Sequence, residues 1–348
     1  MVIIMRYLKN YLFLNKAEIK NFNDFNNIVI CMDKNVTKGG GVMVYSLLSN
    51  MKAKGIVHIF YNGTLSEDEK SRFDKLSIEF NTPIIFYFID NSYVENLFAT
   101  KDINTTSYYR FLCPYILKDI GNIKKMLYLD VDMLCIGDIS SIFSYDLQNK
   151  IAYVVNDFEL PKDKKAKEDR LQGLNLINSQ YFNSGMMFID VDRYVREDIG
   201  EKALKLAKSK SFPFMDQDVL NILLDGKTLF TSSVEYNCRI YVSDECYNKE
   251  REIVKIIHFT SRNKPWKAYT KFWDENSKVK NKRNTWIYQY YRLWREYALK
   301  SPWKDVEYVM PQNHTEWRLA AKEYFRNGNY KYSIQMYFKY LYSKFVQK

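Results

Sequence analysis

Short β-branched, apolar runs alternate along this chain with segments of helical spacing, and that alternation constrains its fold more than any other feature. "NNIVICMD" (26–33) precedes "GGGVMVYSLLSNM", and "GIVHIFYNG" precedes "LSEDEKSRFDKLSIEF", a helix opened by Ser66 with acidic residues in its first turn. "PIIFYFID", the helical "SYYRFLCPYIL" and the strand-like "KKMLYLDVDML" continue the pattern. Strands that alternate with helices predict an α/β fold built on a single doubly wound, mostly parallel sheet. Ligands of such sheets bind beyond the carboxyl ends of the strands. Asp33 and the pair Asp130 and Asp132 fall at such ends. Further on, "YFNSGMMFIDVDRY" reads as a strand bent at Asn183 to Gly185, and "IVKIIHF" as a last strand. "FMDQDVLNILL" opens a helix with Asp216 near its N-terminus, where a carboxylate also serves as a simple dipole cap. Residues 1–25 are Asn-rich and weakly patterned and read as a lead-in. The charged stretch 156–173 reads as a solvated or mobile loop. "TKGGGV" lacks the spacing of a phosphate-cradling loop and reads as a flexible strand-to-helix turn.

With 348 residues, 47% of them hydrophobic, the chain can bury a substantial core. No apolar run approaches the roughly 18 residues of a membrane-spanning helix. "MVIIMRYLKN" has a short apolar stretch with no small-residue cleavage site after it, so no secretory signal is expected and a cytoplasmic location is. Cys31, Cys113, Cys135, Cys238 and Cys246 include no C-x-x-C pair, which argues for reduced, mostly buried thiols. The net charge of +11 is uneven: residues 1–250 hold 31 Lys and Arg against 33 Asp and Glu, whereas residues 251–348 hold 21 against 8. All six tryptophans lie in that basic C-terminal quarter. Basic residues mixed with amphipathic aromatics suit an anionic membrane surface. An ordinary solvated helical tail around a Trp-rich interior has the same composition. Nucleic acid is not an expected partner, because no motif for it accompanies the charge.

In an extended strand, residues two apart project to one side, so Asp130 and Asp132 are expected to point together. Two such carboxylates repel, and a divalent cation removes the conflict. Alone, D-x-D is a weak signal that also arises in surface turns. His258 strengthens it: one of only three histidines, it ends an apolar strand, although a lone histidine is more often packed or capping. Two carboxylates and an imidazole nitrogen favour Mn²⁺, with Mg²⁺ as the alternative. His58 and His314 read as structural or solvated.

These segments carry a resemblance. "NNIVICMDKNVTKGGGVMVYSLL", "TTSYYRFLCPYI", "KMLYLDVDMLCIGDIS", "YFNSGMMFIDVDRY", "MDQDVLN" and "HFTSRNKPW" are similar, in order and spacing, to the successive motifs of glycosyltransferase family 8, retaining enzymes that use UDP-sugars. From "KPWKAYTKFW" to "LKSPWKD" the chain further resembles the branch that adds glucose or galactose to the lipopolysaccharide core. The resemblance covers about residues 26–305 and implies a GT-A type catalytic domain over 26–275; a lead-in at 1–25 and the final hairpin of a basic, aromatic-rich helical region at 276–348 lie outside it.

It also implies roles. Asp130, Asp132 and His258 would hold the metal, and Asp33 and Asn35 the uracil and ribose. Arg110, Asn183 and Asp216 would position the donor sugar, with Gln217 beneath the anomeric carbon and Lys264 on a phosphate. Val36 replaces the family's aromatic after Asn35, and Ser261 replaces a glycine just before "NKPW". The implied activity is transfer of glucose or galactose from UDP-glucose or UDP-galactose to a lipid-linked oligosaccharide, with the enzyme peripheral on the inner face of the cytoplasmic membrane. Glutamine is a poor nucleophile, which favours attack from the leaving-group face; Asp216 remains a possible nucleophile. Another glycan or a protein is an alternative acceptor. A D-x-D phosphohydrolase is a more distant reading, because Met133 and Leu134 follow the pair and no later paired acidic motif appears.

Overall fold

The alternating runs become one eight-stranded sheet of order β1-β4-β3-β2-β5-β8-β7-β9. In this computed structural model, which describes residues 6–14, 19–99, 105–157, 164–178, 180–240, 242, 244–272 and 285–346, the strands are β1 (Leu8–Leu14), β2 (Asn26–Asp33), β3 (Gly55–Asn62), β4 (Ile84–Ile89), β5 (Lys125–Leu129), β7 (Ala152–Asn156), β8 (Phe182–Asp190) and β9 (Thr228–Thr231). β6 (Met133–Cys135), β10 (Cys238–Arg239) and β11 (Ile256–His258) form a second, three-stranded sheet. β2, β3 and β4 run parallel, as do β2 and β5, while β8 runs antiparallel to both β5 and β7. The helices between them are α1 (Thr37–Asn50), α2 (Glu67–Glu79), α3 (Cys113–Gly121), α4 (Lys164–Gly173), α5 (Val191–Arg196), α6 (Ile199–Ser209), α7 (Met215–Leu223) and α8 (Asp244–Glu250). Continuous Val, Ile, Phe and Tyr runs make β2 and β3 buried along nearly their whole length, as a sheet covered on both faces requires. At the start of α2, Ser66 Oγ accepts from Glu69 N and Glu69 Oε2 accepts from Ser66 N, a reciprocal cap.

Four local readings change. Within the expected lead-in, residues 8–14 form β1, an edge strand antiparallel to β4; its largely exposed middle explains the weak pattern. Residues 164–173, expected as loop, form α4, in keeping with their straight-chain Lys, Glu, Arg and Gln side chains; residues 158–163 lie outside the described ones. The glycines of "TKGGGV" sit inside α1 rather than in a turn. At Gly40 a Cβ would stand 2.6 Å from Met32 Cε and 2.9 Å from Val131 Cγ2, so the bare backbone lets α1 pack close under the turn that carries the aspartates. Finally, "MLYLDVDML" is not one strand: it breaks after Leu129, and Asp130 to Asp132 form the passage from the large sheet into β6. Two carboxylates cannot continue a strand buried on both sides without partners.

His58 is fully buried on β3, hydrogen-bonded to Tyr87 Oη at 2.8 Å and Asn27 Oδ1 at 3.0 Å, and burial pushes its pKa down to about 3. All five cysteines are free, four of them buried; Cys31 and Cys113 touch at 3.7 Å between sulfurs.

Two units divide the chain, Met1–His258 and Phe259–Lys348. The second carries α9 (Thr285–Lys300) and a hairpin of α10 (His314–Arg326) and α11 (Tyr330–Val346) that turns at Gly328 (φ +75°). Trp266, Trp286, Trp294 and Trp303 are buried and Trp317 packs against a cluster of Tyr269, Ala320, Ala321, Tyr324 and Met336. Trp273 lies outside the described residues. Four of these tryptophans are thus buried in the helical unit and Trp317 partly so, whereas the exposed large aromatics of the hairpin are tyrosines and phenylalanines of α11 together with Phe325 of α10. Among the described residues, no helix is long and apolar enough to cross a membrane.

Candidate active site

Pairing between the sheets builds the centre of the site. β6 runs antiparallel to β11 with Met133 opposite His258, so the imidazole stands beside the residue that follows Asp132. His258 Nε2 lies 3.1 Å from Asp132 Oδ1 and 3.7 Å from Asp130 Oδ2. One ligand atom from each of the three fits within 4.8 Å of the others. The donor set of two carboxylate oxygens and one imidazole nitrogen fits a divalent cation.

β8 supplies the wall. Val154 pairs with Met187 but Val155 pairs with Asn183, so the β7 register skips Ser184, Gly185 and Met186, and β8 bulges there. The bend expected at Asn183 to Gly185 is this bulge. Gly185 O accepts from Asp130 N at 2.8 Å, which fixes the aspartate turn against it. A Cβ at Gly185 would lie 2.4 Å from His258 Cε1 and 2.7 Å from Asp130 Oδ2. The missing side chain is therefore the space in which the imidazole and carboxylate meet.

Arg110 is buried behind them. Its guanidinium donates to Asp130 Oδ1 at 2.8 Å, to Ser184 Oγ at 2.8 Å and to Ser184 O at 3.0 Å, and pairs with Asp216 Oδ2 at 2.9 Å. It also lies over the Tyr128 ring at 4.6 Å. The flanking carboxylates outweigh desolvation and hold the guanidinium firmly charged. Burial raises the Asp216 pKa; Arg110 opposes that rise and Asp130 adds to it. Asp216 enters from the first turn of α7, just after Met215, which adopts φ +45°, a conformation uncommon for a residue with a side chain.

Gln217 follows with both ends of its amide engaged. Oε1 accepts from Asn183 Nδ2 at 3.0 Å and from Ser184 N at 3.1 Å. Nε2 donates to Asp157 Oδ2 at 2.7 Å and to Tyr181 Oη at 3.1 Å. Asp157 is paired in turn with the fully buried Arg239.

Asp33 ends β2, whose Ile30 pairs with Leu129, so it stands at the same sheet edge as the aspartate turn. Its Oδ1 accepts from Asn35 N at 2.7 Å; Asn35 itself is exposed. Lys264 belongs to the second unit, where its ammonium donates to Phe259 O at 2.7 Å. Its loop is anchored by Tyr269 Oη on Asn263 Oδ1 at 3.2 Å, by Tyr291 Oη on Asn263 O, and by Ser261 Oγ, which accepts from Asn263 N at 3.0 Å.

Sequence reasoning did not single out Tyr128, Asp157, Tyr181, Ser184, Asn237 or Arg239. Asp157 carried a usable signal, for it follows the apolar run of β7 as Asp33 and Asp130 follow theirs. Asn237 precedes a strand of two residues, too short to announce itself.

Residues 27–270 match the sequence model of glycosyl transferase family 8, and residues 288–344 match its C-terminal companion. General stress protein A of Bacillus subtilis is 30% identical over 70% of this chain and 88% of its own. Lipopolysaccharide 1,3-galactosyltransferase of Salmonella typhimurium is 28% identical over 96% of this chain and 95% of its own, and lipopolysaccharide 1,2-glucosyltransferase of Escherichia coli is 30% identical over 82% and 81%. Among solved structures, WbbM, a bifunctional glycosyltransferase, superposes with a TM-score of 0.64 at 20% identity, covering 83% of this chain and 52% of that one. The galactosyltransferase LgtC, solved with donor and acceptor sugar analogues, gives 0.59 at 19% identity over 76% of this chain and 95% of its own. Both likenesses show a GT-A fold.

Proposed function

Because the chain belongs to glycosyltransferase family 8, we propose that it is a metal-dependent, retaining hexosyltransferase that moves glucose or galactose from a UDP-sugar to a lipopolysaccharide or lipooligosaccharide core acceptor. The observation that carries this reading is the convergence of Asp130, Asp132 and His258 at the carboxyl edge of the sheet. The names of the Salmonella and Escherichia relatives, a lipopolysaccharide galactosyltransferase and a lipopolysaccharide glucosyltransferase, support the acceptor class and the two candidate sugars.

In this reading Asp130, Asp132 and His258 would hold a divalent cation, whose positive charge would stabilise the negative charge that develops on the diphosphate. The chain's own residues do the rest. Asp33 and Asn35 hold the uridine, Arg110, Asn183 and Asp216 orient the donor sugar, and Lys264 meets a phosphate. Gln217 lies beneath the anomeric carbon as a fixed dipole, since both ends of its amide are already committed. That commitment favours front-face attack: the bond from the anomeric carbon to the phosphate oxygen breaks and the bond to the acceptor oxygen forms on the same face. The acceptor proton passes to the leaving phosphate oxygen, which yields UDP and a glycoside of retained configuration.

A panel of UDP-sugars followed by UDP release tests the reading. Release is expected with UDP-glucose or UDP-galactose, to depend on added Mn²⁺ or Mg²⁺, to stop on chelation, and to be stimulated by core oligosaccharide more than by other glycans or proteins. Liberation of phosphate from simple esters with no UDP-sugar turnover would overturn it.

The C-terminal hairpin supports attachment to the cytoplasmic leaflet. Tyr337, Phe338, Tyr342 and Phe345 on α11 are each more than half exposed, beside Lys339 and Lys344. Aromatic side chains suit the headgroup level, and each basic residue near an anionic plane adds about 1 kcal/mol. Sedimentation with phosphatidylglycerol vesicles is expected, with little binding to phosphatidylcholine and loss of binding in the Phe338→Ser/Phe345→Ser double variant. Equal sedimentation with both vesicle types would count against an electrostatic surface.

A further inference from the structure

One chain of side-chain amides joins the candidate metal ligand to the candidate sugar site. His258 Nδ1 lies 2.9 Å from Asn237 Oδ1, Asn237 Nδ2 lies 2.9 Å from Asn183 Oδ1, Asn183 Nδ2 lies 3.0 Å from Gln217 Oε1, and Gln217 Nε2 lies 2.7 Å from Asp157 Oδ2. Its polarity is fixed from outside. Gly185 N is a donor only, and it points at Asn183 Oδ1 from 3.2 Å. Ser184 N points likewise at Gln217 Oε1. The Asp157 carboxylate, paired with Arg239, accepts at the far end. With Asn183 Oδ1 turned toward Asn237, Asn237 must present its NH₂ there and its carbonyl to the imidazole. His258 Nδ1 must then carry the proton, which leaves the Nε2 lone pair facing Asp130 and Asp132.

The geometry points to Asn237 as a positioning residue with two separate duties: its carbonyl holds His258 in the tautomer that ligates through Nε2, and its NH₂ holds Asn183 in the orientation that donates to Gln217. The inference rests on the proposed reading of the site and extends it to a residue that touches neither metal nor sugar. The two duties are separable by substitution. In Asn237→Asp, a carboxylate oxygen still accepts from His258 Nδ1–H, but the other oxygen opposes Asn183 Oδ1 and no longer donates. In Asn237→Leu, of similar size, both contacts are lost.

The experiment is Mn²⁺ titration of each protein, followed by electron paramagnetic resonance and calorimetry, beside kcat and KM for the donor and thermal unfolding. Asn237→Leu is expected to weaken Mn²⁺ binding by about 10–100-fold, the usual effect of losing a partner behind a metal ligand. Asn237→Asp is expected to keep the parent's Mn²⁺ affinity or exceed it, yet to lose about 10²-fold in kcat from misplaced sugar contacts. That split supports the relay, and the Asp variant suffices for it if the Leu variant does not fold. Asn237→Asp that loses metal affinity, or that turns over like the parent, overturns the relay. Parent protein that binds no Mn²⁺ overturns the relay together with the metal-dependent reading, whereas a parent that binds Mn²⁺ and variants that behave like it leave that reading standing and remove only the relay.

Discussion

Gly185→Ala is expected to lower both Mn²⁺ affinity and turnover by about 10²-fold or more while the protein stays folded. The added methyl would meet His258 Cε1 at 2.4 Å, Asp130 Oδ2 at 2.7 Å and Asn183 Oδ1 at 3.0 Å. None of these atoms ends a flexible side chain free to swing aside. Asp130 is held by Arg110 and by Tyr128 Oη at 2.9 Å, and His258 by Asn237. The groups that must converge are therefore pushed apart by a distance of order 1 Å, the displacement that costs about 10²-fold in well-oriented sites. Overpacking adds about 1–3 kcal/mol of destabilisation. Gly173→Ala is the control, because a Cβ there meets nothing within 4 Å. Metal titration and steady-state rates on the two variants check the expectation, and Gly185→Ala with parental affinity and rate would refute it.

Arg110→Leu is expected to produce the largest loss of stability of any single change near the site, about 3–5 kcal/mol, together with loss of turnover. The guanidinium links Asp130 and Asp216, and the Asp216 side chain is only 7% exposed. Removing it leaves two acidic groups facing each other with no countercharge, and leaves Ser184 O without its donor. Arg110→Lys is expected to fall between, since an ammonium keeps the charge but cannot span both carboxylates and lie flat on Tyr128. Urea unfolding midpoints at neutral pH measure the effect. An Arg110→Leu variant within about 1 kcal/mol of the parent would mean that Asp216 takes up a proton and packs without a partner.

Much of the strand and helix order of residues 26–258 was readable where apolar runs are long and helices carry start signals such as Ser66 with Glu69, but β7, β9, β10, α5, α6 and α8 were not singled out. β1 was not, because an edge strand with an exposed middle shows little alternation. α4 was not, because a charged segment looks the same whether helical or irregular until its backbone is seen. At the site, Asp130, Asp132 and His258 stood out as charged or titratable groups at the ends of apolar runs. The expectation that the two aspartates share one face of an extended strand did not hold: they meet the imidazole because the chain turns between two sheets. Asn237, Ser184 and Tyr181 act through hydrogen bonds to other side chains and to the backbone. No local pattern encodes such a contact, since each partner comes from a distant element.

The bulge in β8 has one more consequence. The direction of the hydrogen-bond chain from Gln217 to His258 originates in the main-chain N–H groups of Ser184 and Gly185. Those groups are the same for any side chain that fits, so the sense of the chain is indifferent to most amino-acid exchanges at position 184. It is sensitive instead to length: inserting or deleting one residue in this stretch of β8 would turn the amides to the other face of the strand and reverse or erase the direction. The site is thus tuned by the number of residues in one bulge, a property that drifts by insertions and deletions rather than by replacements.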